Sequence, residues 1–379
     1  MQALSRRISD YAKNLRGWRA QGQRIAFAVD DYAAVRVASA SAWNELRDSG
    51  LDVSRPMDRL DAVETREDLE ALYEVLGSVA DSGGRPAVFT AYVLSANPDF
   101  DAILQQGERY QYECVDRTFA RLAAEQPQAY DGAWSIWRQG IEACLIRPQF
   151  HGREHYNIEL VECKLRRRSR DLLTNLENRS MAGLSKEPTL PGVGFTEAFG
   201  LSGSAALPRH REILTEGLDL FERVWGFRSE TFTPPAMKLH PSLFEVAERG
   251  GVRSIDKPLR FRRDLGDGQG RKEFNRSGRR RGQNHVTVVR NVVFEPCREM
   301  GFEPVSRALQ QIAAAFYWRR PAIISSHRVN FAGHLDENNR KRGLDALQRL
   351  LKAIVKRWPE AEFVSVDSLV REMDGQAAP

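Results

Sequence analysis

The feature that most constrains this chain is the recurrence of short, strongly apolar runs separated by longer amphipathic stretches. The runs are residues 24–29 (RIAFAV), 85–93 (RPAVFTAYV), 145–150 (LIRPQF), 230–233, 252–255, 286–293 (VTVVRNVV) and 322–325. Between them lie stretches such as 211–225, 303–318 and 338–358, whose apolar residues recur at helical spacing. A strand that is apolar along its whole length needs both faces covered, as parallel strands are when crossover helices pack on either side. The pattern therefore predicts an α/β fold, a distorted (β/α) barrel of about seven parallel strands with a helical insertion and long loops. No internal repeat interrupts it.

Three segments depart from the alternation. Residues 96–142 contain NPDFDAI and two aromatic-rich helical patterns, and read as a helical insertion. Residues 181–208 are rich in Gly, Ser and Pro, and 256–284 in Arg and Gly; both read as long loops, plain or bordering a substrate. The 379 residues suffice for one large barrel or two ordinary domains, and length alone does not choose between them.

Charge and cysteine usage remove several function classes. The net charge of +5 comes from arginines dispersed among acidic residues, without the concentrated basic stripe that nucleic-acid binding needs. No apolar run is long enough to span a bilayer and no signal-like segment opens the chain, so a cytoplasmic location is expected. Cys114, Cys144, Cys163 and Cys297 have neither zinc-knuckle spacing nor a disulfide framework.

Polar residues cluster where the apolar runs stop. Asp30 and Asp31 follow RIAFAV directly, at the strand end where barrel active sites are built. An Asp-Asp pair also suits a turn or helix cap; the alternative is that one carboxylate ligates a cation while the other faces a water. His151 and His155 (HGREH) follow the 145–150 run, and two imidazoles four residues apart reach one cation if the segment is helical. Together these residues supply an Asp-plus-two-His set with positions left for water and substrate.

The order of these segments resembles the polysaccharide deacetylase (NodB-homology) superfamily, in a divergent branch found among bacterial surface-polysaccharide genes. FAVDD (27–31) is similar to its first motif, and His151 with His155 to its His-Ser/Thr-x-x-His, Gly152 replacing the hydroxyl residue. TFTPP (231–235) approximates its Arg-Pro-Pro turn, and AIISSH (322–327) its terminal strand ending in histidine. The resemblance spans residues 24 to about 330. It implies one catalytic barrel domain in which Asp31, His151 and His155 bind a divalent metal, Zn2+ first and then Co2+, Ni2+ or Mn2+. It further implies Asp30 as general base, His327 as general acid, and an oxyanion donor in the backbone just after Pro235, at Ala236 or Met237.

The sequence departs from that family at two points. Thr233 stands where the base-orienting arginine is expected, leaving Arg153, Arg290 or Arg328 to replace it, and Tyr32 stands where glycine follows the aspartates and would narrow the site. Arg153, Pro235, Arg290, Asn291, Arg328 and Asn330 are candidate substrate contacts; Arg290, Asn291 and Glu295 fit a structural ion-pair role equally. His334 is a second candidate acid or a loop residue, His210, His240 and His285 are ordinary, and Tyr130, Trp134 and Trp137 suit a core better than a sugar platform. The implied function is removal of an N-acetyl group from a sugar, nucleotide- or lipid-linked forms suiting the basic stretch 260–281. The rivals are a related amidohydrolase or deformylase acting on a small amide, and a non-catalytic sugar-binding barrel.

Overall fold

A computed structural model describes residues 2–190, 192–266, 269–281 and 285–375. The strands of the main sheet are β1 (Arg24–Tyr32), β2 (Phe89–Leu94), β3 (Ile146–Gly152), β4 (Thr231–Phe232), β5 (Ser254–Asp256), β6 (Arg279–Arg281), β7 (His285–Val288), β8 (Val292–Val293), β9 (Ala322–His327) and β10 (Glu362–Phe363). Their order is β6-β7-β5-β4-β3-β2-β1-β9-β8, with β10 also paired to β1. Every pairing is parallel except β6 with β7. The fold is thus the α/β architecture expected, a curled sheet whose hydrogen bonds do not close into a complete barrel.

The unclosed edge has a covalent explanation. Residues 286–293, read as one strand, are two: β7 pairs with β5 at one side of the sheet and β8 with β9 at the other. Residues 289–291 carry the chain across that seam, which places Arg290 at the top of the barrel facing β1.

The core follows from the alternation. β1 is buried along almost its whole length, and Phe27, Phe89, Phe150 and Phe232 from four adjacent strands join one large apolar cluster with the surrounding helices. The helices Leu207–Trp225, Pro304–Tyr317 and Glu337–Arg357 lie where the apolar periodicity puts them. Leu207–Trp225 has Pro208 in its first turn and ends at Gly226, whose φ of 80° is the left-handed conformation that favours glycine. No helix among the described residues is long and apolar enough to cross a membrane.

The departures from the alternation resolve differently. Residues 96–142 form the helices Phe100–Gln106, Val115–Glu125, Pro127–Tyr130 and Ala133–Glu142 beside a small hairpin of Ala96–Pro98 and Tyr112–Cys114. Trp134 and Trp137 stack on Trp225 with ring centroids 5.1 and 5.0 Å away, so these aromatics weld the insertion to the barrel. Residues 181–190 and 192–203 have no regular element, and Pro191 lies outside the described residues. The 256–284 stretch is not simply a loop: Arg260–Gly266 and Gln269–Phe274 pair as an antiparallel hairpin, with 267–268 and 282–284 outside the described residues.

Candidate metal centre

Two β-bulges aim the site. Between Val29 and Tyr32, β1 carries one residue more than β2, and Asp31 adopts a left-handed φ of 71°. Between Phe150 and Gly152, β3 likewise carries one residue more than β2, and that residue is His151. In regular strands Asp30 and Asp31 would point to opposite faces; a bulge re-aims one side chain, so both line the same cavity.

The geometry fits a shared cation. Asp31 Oδ1 lies 3.3 Å from His151 Nε2 and 3.2 Å from His155 Nε2, and donor atoms of all three residues fall within 4.8 Å of one another. Metal–ligand bonds of about 2.1 Å at tetrahedral or octahedral angles set donors roughly 3.0–3.4 Å apart. His151 Nδ1 donates to the Thr233 carbonyl at 2.7 Å, which can only accept, so its Nε2 lone pair is the one turned toward Asp31. Burial lowers the His155 pKa against the pull of Asp31, keeping that ring neutral and able to ligate. Burial opposes the Asp31 charge, yet the two histidine rings facing it hold its carboxyl well below the usual range. A carboxylate and two imidazole lone pairs converging in a buried place repel unless a cation lies between them. The helical spacing expected for His151 and His155 is not what unites them: the first ends β3, and the second lies in the turn before the helix Ile158–Arg166.

Beside the triad, Asp30 is gripped by Arg290. Its two oxygens receive Nη1 and Nη2, each at 2.7 Å, while Arg290 Nε donates to Asp256 at 2.6 Å and Nη2 also reaches Thr233 Oγ1 at 2.9 Å. Thr233 Oγ1 donates in turn to Asp256 at 2.9 Å. Burial would raise the Asp30 pKa, but the Arg290 charge and hydrogen bonds lower it overall. Burial dominates at Asp256 and raises its pKa. An arginine against the Asp30 carboxylate, absent at position 233, is therefore supplied from the seam.

His327 is the register partner of Asp30 across β1 and β9, and its Nε2 lies 4.0 Å from the Asp30 carboxylate. Its Nδ1 pairs with Glu295 Oε1 at 2.5 Å, and Glu295 is held from behind by Asn330 Nδ2 at 2.7 Å. Burial alone would lower the His327 pKa; Glu295, with Asp31 and Asp30, outweighs it and brings the group to about 9.

Asp30, Asp31, His151, His155, Thr233 and His327 line a cavity of about 280 Å³ with Arg36, Asp61, Tyr156, Thr196, Ala236 and Met237. Ala236 and Met237 have left-handed φ values of 52° and 55°. The Met237 N–H is spent on the Pro234 carbonyl at 2.7 Å, which leaves Ala236 as the available donor after Pro235. Pro235 itself is buried behind the wall, against Gly152.

Several expected substrate contacts are committed elsewhere. Arg153 is 1% exposed and paired with Glu154 and Glu216, and Arg328, equally buried, holds Asp61 and Glu64, each at 3.0 Å. Asn291 bonds Asn14 and the Pro321 carbonyl, and Asn330 is wholly enclosed. These four therefore build the scaffold, because their side chains are engaged by the protein's own groups and none of them lines the cavity. Tyr32 does not narrow the site; its ring packs edge-on against Trp137, 5.6 Å away in the core. His334 bonds the Ala38 carbonyl and Gln126 and does not line the cavity, and neither does any described residue of 257–281. Sequence reasoning missed Asp256, Asp61 and Arg36. Asp256 had a usable signal, since it follows the apolar run 252–255 directly, as Asp30 follows 24–29.

Neither a protein-family model nor a curated protein matches the sequence. In fold the chain is similar to a probable polysaccharide deacetylase from Pseudomonas aeruginosa PAO1, at 10% identity over 92% of this chain and 89% of that one, with a TM-score of 0.44. It is similar to Puue allantoinase at 11% identity over 96% and 95% of the two chains, with a TM-score of 0.45. A family 4 acetyl xylan esterase from Clostridium thermocellum in complex with a cobalt ion gives 11% identity, 94% coverage of each chain and a TM-score of 0.37. At these identities and TM-scores, the chemistry rests on the chain's own residues.

Proposed function

We propose that this chain is a metal-dependent hydrolase that removes an N-acetyl group from a sugar in surface-polysaccharide synthesis, acting in the cytoplasm. The observation that carries the reading is the adjacency of a buried Asp31–His151–His155 donor set to a second carboxylate, Asp30, with an imidazole facing it. Two imidazoles and one carboxylate suit Zn2+ first, with Co2+, Ni2+ or Mn2+ as substitutes. Four unpaired cysteines fit a reducing compartment.

When bound, the cation would polarise the scissile carbonyl and acidify a water. Asp30, kept ionised and oriented by Arg290, takes the proton as that water's oxygen bonds to the carbonyl carbon. The Ala236 N–H donates to the carbonyl oxygen as negative charge develops on it. His327, protonated at neutral pH, gives its proton to the amide nitrogen as the carbon–nitrogen bond breaks, releasing an amine and acetate. Glu295 fixes the ring, and Asn330 fixes Glu295.

The test is acetate release from N-acetylhexosamine conjugates, including nucleotide- and lipid-linked forms. Chelator-sensitive release that Asp30→Asn abolishes is expected. A different acyl product, such as formate from a small amide, would assign the same site to another amidohydrolase reaction. Undiminished function in Asp30→Asn would leave only a sugar-binding barrel.

A further inference from the structure

The first helix, Gln2–Lys13, packs inside out. Its inward side is polar: Asp10 is 3% exposed and receives Arg307, Lys13 at 3.2 Å and Gln311 at 3.3 Å. Just past the helix, Asn14 is also buried and accepts from Asn291 at 2.8 Å. Helical spacing sets Leu4, Ile8 and Tyr11 on the opposite stripe, and Leu15 follows two residues past the helix end. Leu4, Ile8 and Leu15 are 65%, 61% and 51% exposed. Tyr317, also exposed, packs edge-on against Tyr11, and exposed Phe274 borders the same groove as Leu15. Five of the seven exposed large hydrophobics among the described residues thus collect around one helix, where scattered singletons would need no explanation.

The border of this stripe is basic. Arg6, Arg7, Arg16 and Arg19 are exposed, and none has an ion pair among the described residues. Asp10 is the only acidic residue ahead of Asp30, and its charge is already consumed by Arg307 and Lys13. Arg260 and Arg279 add charge beside Phe274. A second copy of the chain would bring these same cations face to face, which disfavours self-association. A surface that offers negative charge at its boundary and an apolar layer beneath satisfies both the arginines and the stripe.

We propose that this face docks on an anionic lipid bilayer, with Leu4, Ile8 and Leu15 entering the acyl boundary and the arginines meeting lipid phosphates. The inference is independent of the metal centre. Its test is sedimentation of the full chain with vesicles of phosphatidylcholine alone or mixed with phosphatidylglycerol. Binding to the anionic vesicles is expected, with little to the neutral ones and a decline as salt rises. Ile8→Asp, at an exposed position, should lower partitioning roughly tenfold or more with an unchanged Tm. The double variant Arg7→Gln/Arg16→Gln should lower it by roughly fivefold per charge. Absence of binding to anionic vesicles, or binding indifferent to Ile8→Asp, overturns the proposal. So does a solution dimer that Ile8→Asp dissociates, which would assign the face to a second copy.

Discussion

Arg290 holds Asp30 through two parallel hydrogen bonds of 2.7 Å, although the two residues are separated by most of the barrel in sequence. Its side chain is only 4% exposed and is shared with Asp256, so the guanidinium both orients the proposed base and neutralises two buried carboxylates. Lysine cannot reproduce the planar fork. Arg290→Lys should lower kcat by about 10²-fold with little change in KM, the signature of a base no longer aimed. Arg290→Met should destabilise the fold by about 3–5 kcal/mol by leaving those carboxylates unpaired. Steady-state kinetics and denaturant unfolding check the two arms; a silent Arg290→Lys would remove Arg290 from the proposed mechanism.

The metal centre predicts one strongly bound divalent ion per chain. His151→Ala and His155→Ala should each abolish stoichiometric Zn2+ binding in calorimetry, and chelation should lower the Tm of the wild type alone. At a thousandfold excess over Kd, bound metal contributes about 4 kcal/mol of stability. Stoichiometric binding that survives in both variants would show that the ion sits elsewhere.

How much of this was legible in the sequence depended on where each constraint lived. FAVDD and IISSH were readable because an apolar run ends abruptly in acids or a histidine, and a buried strand ends at the site. His151 and His155 were found through a spacing whose helical rationale was wrong; the bulge in β3 and the turn after it bring them together. Arg290 could be named only as one of three arginines able to reach Asp30, because VTVVRNVV reads as one continuous strand and only the tertiary fold splits it into β7 and β8 at opposite sides of the sheet. The hairpin Arg260–Gly266 with Gln269–Phe274 gave no strand signal, since the sequence RFRRDLG has charged residues at both odd and even positions and no apolar alternation. Arg153 and Arg328 were misjudged for a related reason: a sequence shows a charge but not the carboxylates that consume it, here Glu154, Asp61 and Glu64.

His327 gives a pH prediction with a definite sign. Its folded-state pKa of about 9 lies above the ordinary histidine value of 6.5, so the protonated form is favoured by folding. The associated stability is present in full below the ordinary value and is lost as pH rises through about 9. In the metal-free protein the imidazole resonance should titrate near 9, and Glu295→Gln should move it down because burial then dominates. A bound cation adds positive charge nearby and should also move it down. An unshifted resonance in Glu295→Gln would show that Glu295 does not set the charge of the proposed acid.

Gly343 ties that acid to the packing of a distant helix. It lies in Glu337–Arg357, where a methyl group would sit 1.7 Å from the Asn330 carbonyl oxygen, a backbone atom with no freedom to move aside. Asn330 in turn donates to Glu295, and Glu295 holds His327. Gly343→Ala must therefore push the helix or the Arg328–Phe331 turn outward, at a cost of about 1–3 kcal/mol, while removing no polar group from the site. Because the displaced carbonyl belongs to the residue that steadies Glu295, the substitution should also lower the His327 pKa and shift the alkaline limb of activity to lower pH. A surface change of similar ΔΔG elsewhere would move only the unfolding midpoint. Finding destabilisation in Gly343→Ala with an unaltered His327 titration would break the proposed chain of contacts between Asn330 and His327, and with it the view that this helix positions the acid.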